Sequence, residues 1–199
     1  MEIAIILFDG FDELDAVGPY EVFQNAAAAG AGCTTSLRTV EPAEMVEASH
    51  GLRVESDGLF ADTDPDLVLV PGGGWNNRGE AGAWAEAEHG AIPDAVAAAH
   101  GRGATVAGVC TGGMLLARAG LTDGRPAVTH SGALADLRET AAEVVEARVV
   151  DDGDLLTAGG VTSGLDLAFH VVEREFGRDV AETIGTKMEY EPSGDVYEG

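Results

Sequence analysis

Apolar residues fill positions Ile3 to Phe8, a run that reads as a buried strand. Gly18-Pro19 then precedes YEVFQNAAAA, which predicts a helix with proline in its first turn and Gly30 near its end. TTSLRTV predicts a second strand, and the alternation in MVEASHGLRVESDGLF around Gly51 predicts a small hairpin. DLVLVPGGG supplies a short apolar strand that runs into Pro71-Gly72-Gly73-Gly74. Two helical stretches follow, Glu80 to Glu88 and Ile92 to His100, then a strand in ATVAGV and a helix in TGGMLLARAGL. PAVTH is expected to be a strand ending at His130, and GALADLRETAAEV a helix. ARVVDDGDLLTAGG predicts a hairpin turning at Asp151-Asp152-Gly153. SGLDLAFHVVEREFG and DVAETIGTKMEY predict the last two helices.

Strands alternating with helices imply an α/β fold, a mostly parallel sheet covered on both faces. No repeat or low-complexity linker interrupts the pattern, so one domain is expected over residues 1–192, with 193–199 as a polar tail. In such sheets, sites form beyond the carboxyl ends of the strands. Three of those ends carry suggestive residues, namely Gly72 to Gly74, Cys110 and His130, and the acidic loop after the first strand is a fourth.

Composition narrows the function. The 199 residues are 45% hydrophobic, but 35 acidic residues against 11 Lys and Arg leave a formal charge of −24. Such a field excludes binding to nucleic acid through its phosphates. The acids are scattered rather than blocked into a tail, a surface suited to a high-salt cytoplasm, so a halophilic source is expected. MEIAIILFDGFDELD lacks a basic leader and reads as a strand rather than a signal peptide, and no run is long enough to span a membrane. Two cysteines make no disulfide framework, which points to a reducing, cytoplasmic setting.

Gly108-Val-Cys110-Thr-Gly112 has the form of a nucleophile elbow, in which small flanking residues permit a strained turn between strand and helix. A cysteine at the start of the helix would have its thiolate favoured by free amides, with the Thr111 N–H aimed at a developing anion. The competing reading is a buried, inert cysteine, the ordinary state of a lone Cys and the one expected of Cys33. The amides of Gly72 to Gly74 could supply the other half of an oxyanion site. Asp15, in FDELDAVGP, could move protons to and from a nearby thiol, although spacing alone does not separate it from Asp12 and Glu13. His130 fits proton transfer and plain packing equally. Trp75, Asn76 and Asn77 could wall a small pocket, and Trp84 reads as helix packing. The histidines show no metal-ligand spacing, so neither a metal nor a cofactor is expected.

AIILFDGFDELDAVGPYEVF, DLVLVPGGG, VAGVCTGGMLLARAGLTDGRPAVTH and LLTAGGVTSGLDLAFHVVEREFG together resemble the ThiJ/PfpI superfamily, and in particular its isonitrile-hydratase-like branch. The resemblance runs from Ile3 to about Pro192. It implies a flavodoxin-like three-layer α/β/α sandwich like that of class I glutamine amidotransferases, usually a homodimer, with Cys110 as the reactive cysteine. It also implies Asp15 as that cysteine's acidic partner, Gly73 and Thr111 as oxyanion amides, and an assisting role for the Thr111 hydroxyl. Protease-like members carry histidine after the cysteine; Thr111 here argues against a peptidase. The implied activity is a cysteine-dependent hydratase or hydrolase of a small C–N compound, converting an isonitrile to an N-substituted formamide. Glyoxalase or deglycase action on reactive aldehydes such as methylglyoxal, and an oxidant-sensing or chaperone-like role, are the alternatives.

Overall fold

Every side chain from Ala4 to Leu7 is buried, as the continuous apolar run requires of a strand covered on both faces. The computed structural model describes all 199 residues. From that first strand, β1 (Glu2–Leu7), the chain passes through α1 (Glu13–Ala28), β2 (Thr34–Thr39) and the antiparallel hairpin β3 (Met45–Glu47) and β4 (Arg53–Glu55). It continues through β5 (Leu67–Val70), α2 (Ala83–His89), α3 (Ala91–Gly101), β6 (Thr105–Val109) and α4 (Gly112–Arg118). β7 (Pro126–Ala127), α5 (Leu134–Arg138) and β8 (Glu143–Val144) are short. β9 (Val149–Asp152), β10 (Leu155–Ala158), α6 (Ser163–Phe176), α7 (Arg178–Met188) and β11 (Val196–Glu198) complete it.

Seven strands form one sheet in the order β11-β9-β10-β6-β5-β1-β2. All neighbours are parallel except β9 and β10, which make the expected hairpin. Helices α1, α6 and α7 pack together, as do α2, α3 and α4, flanking the sheet in a flavodoxin-like three-layer arrangement. Register brings three strand ends level: Val70 lies opposite Gly108, and Gly108 opposite Thr157. The loops after β5, β6 and β10 therefore emerge side by side. No helix is long and apolar enough to cross a membrane.

Four expectations are corrected. Helix α1 starts at Glu13, seven residues before Tyr20, with Asp12 as its N-cap and Pro19 inside it. One proline costs a helix a single N–H bond, and apolar burial of Ala16, Val22 and Phe23 outweighs that cost. Asp15 accordingly sits in a helical first turn, not in a loop. PAVTH is a strand only over Pro126–Ala127 and pairs with β8 outside the main sheet. The Val128 amide instead donates to the Thr157 hydroxyl at 2.9 Å, which takes it out of any ladder. The helix expected over 132–144 shortens to a 3-10 turn, Ser131–Ala133, and α5, after which the Thr140 hydroxyl donates to the Leu137 carbonyl at 2.7 Å. Finally, residues 193–199 do not lie free of the domain, because Val196, Tyr197 and Glu198 pair in parallel with β9.

Candidate active site

Cys110 directly follows β6 and takes a left-handed backbone conformation, φ 56°. A residue with a Cβ is strained there, and the neighbours over-determine the turn. The Cys110 amide donates to the Ala158 and Gly159 carbonyls at 3.1 and 2.9 Å, and its carbonyl accepts from the Thr129 hydroxyl at 2.8 Å. Both flanking glycines are obligatory. A Cβ on Gly108 would stand 2.8 Å from the Gly113 nitrogen, and one on Gly112 would stand 2.1 Å from the Val70 carbonyl oxygen. The pattern G-x-C-x-G thus encodes the elbow through steric exclusion.

Asp15 is wholly buried, and its Oδ2 accepts the Gly72 N–H at 2.9 Å. Its Oδ1 has no hydrogen-bond partner, and the Cys110 thiol lies close enough to influence the carboxyl. Burial, aided by the Asp12 charge, pushes the Asp15 carboxyl up to about 7, against the lowering effect of the Gly72 bond and the Cys110 thiol. The same burial, and then the Asp15 charge, pushes the Cys110 thiol up to about 12. The elbow does not stand open to solvent: Cys110 is only 5% exposed, and burial disfavours its thiolate. Helix α4 has only seven residues, and its field does not overcome the desolvation.

Two amides close to the sulfur oppose that rise, those of Val161 and Thr111. Val161 was missed from the sequence. It too is left-handed, with φ 30°, and follows the Gly159-Gly160 turn after β10. A glycine pair at a third strand end was the available signal.

The glycine loop meets the elbow at van der Waals limits. A Cβ on Gly72 would lie 2.4 Å from the Thr111 nitrogen, and one on Gly73 would lie 2.5 Å from the Asp12 nitrogen. The Gly73 amide donates to the Thr111 hydroxyl at 2.9 Å, so it is engaged rather than open. An incoming anion would have to take it from the threonine.

His130 caps the short turn that follows it, its Nδ1 accepting from the Gly132 amide at 3.0 Å. Its ring lies so close to Gly160 that a Cβ there would sit 2.7 Å from Cδ2. It thereby buttresses the turn that delivers Val161. Trp75 lines a small cavity with Trp84, Met114 and Asp136. Its indole N–H donates to Asp136 at 2.6 Å, and its ring packs edge-on against Trp84 at 5.1 Å. Asn76 crowds Gly132 beside His130. Sequence reasoning also missed a clamp at the start of α1. Glu13 accepts from the His50 amide at 2.7 Å and from the Ser49 hydroxyl at 3.1 Å, and lies 2.6 Å from the His50 ring. Burial alone would raise the Glu13 carboxyl, but these bonds hold it at about 2. Cys33 is buried with its thiol on the Phe23 carbonyl, and burial pushes that thiol up.

A parallel sheet with a left-handed cysteine elbow, a buried carboxyl and a glycine loop defines a class of protein, and the chain belongs to the DJ-1/PfpI family, whose profile matches residues 1–174. It is 32% identical over 195 residues to an isonitrile hydratase of Pseudomonas putida, spanning 97% of this chain and 80% of that one. It is 27% identical to the Parkinson disease protein 7 homolog of Danio rerio, spanning 90% and 92%. A crystal structure of a ThiJ/PfpI family protein from Pseudomonas syringae superposes with a TM-score of 0.85 at 27% identity, covering 96% of this chain and 76% of that one.

Proposed function

We propose that the protein is a cysteine-dependent hydratase of a small C–N compound, acting on an isonitrile to give an N-substituted formamide. The observation that carries this reading is the buried pair of Asp15 and Cys110, one carboxyl oxygen fixed by Gly72 and the other left for proton traffic with the thiol. Likeness to a hydratase supports it. Family membership alone carries only a general activity, since it also includes the Parkinson disease protein 7 homolog.

An isonitrile carbon accepts both a proton and a nucleophile, which suits a thiol better than a free thiolate. As the sulfur bonds to that carbon, the S–H proton passes to the carbon by way of Asp15, forming a thioimidate. Water then adds to the C=N carbon, one of its protons going to nitrogen. Collapse breaks the C–S bond, the remaining hydroxyl proton returns through Asp15 to sulfur, and the formamide leaves. Cys110 is the nucleophile and Asp15 the acid–base group. The Thr111 hydroxyl, steadied by the Gly73 N–H, can donate to the heteroatom that gains electron density. The Thr111 and Val161 amides steady the sulfur as it departs.

The test is a panel of an alkyl isonitrile, methylglyoxal and a small amide offered to one preparation. Formamide appearing from the isonitrile is the expected result. Lactate from methylglyoxal with no formamide moves the assignment to a glyoxalase. No turnover at all, with Cys110 gaining oxygen under mild peroxide, moves it to an oxidant sensor. A homodimer in a reducing cytoplasm belongs to the same proposal, supported by free Cys33 and Cys110 and by apolar Val17, Met45 and Leu52 at the surface. Sedimentation at twice the 20.4 kDa chain mass is the expected result, and a monomer contradicts it.

A further inference from the structure

Helix α1 begins Asp12-Glu-Leu-Asp15, the spacing of a capping box, in which the fourth residue's carboxylate bonds back to the amide of the first. Here that box is open, with the Gly72 peptide inserted into it. The Asp12 amide donates to the Gly72 carbonyl at 2.8 Å, and the Gly72 amide donates to Asp15 Oδ2 at 2.9 Å. Asp15 is thus held by the glycine loop instead of by its own helix, and Oδ1 is released. Asp12 still caps the helix, its Oδ1 accepting from the Leu14 amide at 3.3 Å. Its carboxylate is kept one helical turn from a second carboxyl, with the His50 ring also within its field.

We propose that Asp12 is a positioning residue for the Asp15–Cys110 pair: its carboxylate, fixed at the open cap one helical turn away, opposes loss of the proton that Asp15 exchanges with the thiol. The inference rests on the acid–thiol reading of the site. The surroundings leave Asp12 as the charge that matters. The loop after β5 presents the Gly72 amide to Asp15, and the elbow presents the Cys110 thiol. Helix α6 meets α1 here through Gly164 against Pro19 and Leu165 against Gly18, both uncharged. The neighbouring Glu13 carboxyl is spent on Ser49 and His50. Among the charges acting on Asp15, the Asp12 carboxylate is the one that raises it.

Asp12→Asn separates charge from capping, because asparagine caps a helix as well as aspartate. The readout is the rate of Cys110 alkylation by iodoacetamide between pH 5 and 9, followed by peptide mass so that Cys33 is excluded. It requires no turnover. In the wild type the rate should show an inflection near neutral pH as Asp15 titrates, absent in Asp15→Asn. In Asp12→Asn the inflection should fall by about two pH units, as two charges a helical turn apart at an effective dielectric near 20 require. Molar KCl, which cuts the screening length to about 3 Å, should move the wild type the same way and the variant much less. An inflection at the same pH in wild type and Asp12→Asn, with melting temperatures unchanged, overturns the proposal. A wild type without any inflection overturns it as well. Failure of the hydratase reading shows up elsewhere, as absence of formamide from a protein whose alkylation profile still shifts.

Discussion

Asp15 holds its proton to about 7, whereas an unfolded aspartate loses it near 3.8. A group raised in this way stabilises the fold fully below the lower value, and the contribution disappears as pH climbs through the upper one. Above neutrality the folded chain carries a buried carboxylate beside a thiol, a penalty of about 4 kcal/mol at most. Asp15→Asn should therefore melt with much less loss between pH 5 and 9 than the wild type, while losing about 10²–10⁴ in turnover. A variant as pH-sensitive as its parent would show that Asp15 is already ionised in the fold. Glu13 behaves in the opposite sense. Its bonds to His50 and Ser49 hold it at about 2, so that contribution is present above the ordinary carboxylate value and is lost as pH falls through about 2.

The elbow is a property of several elements at once. Its strain is held by β10 through the Ala158 and Gly159 carbonyls and by Thr129 from the segment after β7. Thr129→Val keeps the shape and deletes the hydroxyl, so it should cost about 1–2 kcal/mol of stability and lower turnover by relaxing Cys110. Calorimetry with a parallel rate measurement checks both, and an unchanged rate would mean that the elbow holds without Thr129. Elements with strong periodicity were legible in the sequence: β1, β5, β6, both hairpins and α6 all stand where the apolar pattern put them. The first turn of α1 was not, because Gly18-Pro19 looked like a helix start and a proline is tolerated in a helix that buries enough apolar surface. Cys110 and the glycine loop were legible because their backbones leave so few residue types possible. Val161 was not, since a backbone amide leaves no trace in the identity of its residue. The indole partner of Trp75 was not legible either, since Asp136 comes from a helix 61 residues away.

At the scale of the whole molecule, charge dominates. Every arginine except Arg38 forms an ion pair, among them Arg125 with Asp152 and Asp154, and Arg148 with buried Asp166. Even so, 35 acidic residues meet only 11 basic ones. Salt weakens surface pairs that contribute little, and it weakens a net repulsion that acts across the entire surface. The melting temperature should rise by roughly 5 °C or more between 0.1 and 2 M KCl, which for a chain of this size corresponds to about 2 kcal/mol. A flat or falling curve would mean that the pairs outweigh the repulsion.

The most direct measurement is the mass of the Cys110 peptide after rapid acid quench of the enzyme with excess alkyl isonitrile. The account predicts a peptide heavier by one whole isonitrile, since thiol addition expels nothing, together with loss of both adduct and formamide in Cys110→Ala. Formamide produced at an undiminished rate by Cys110→Ala would contradict it.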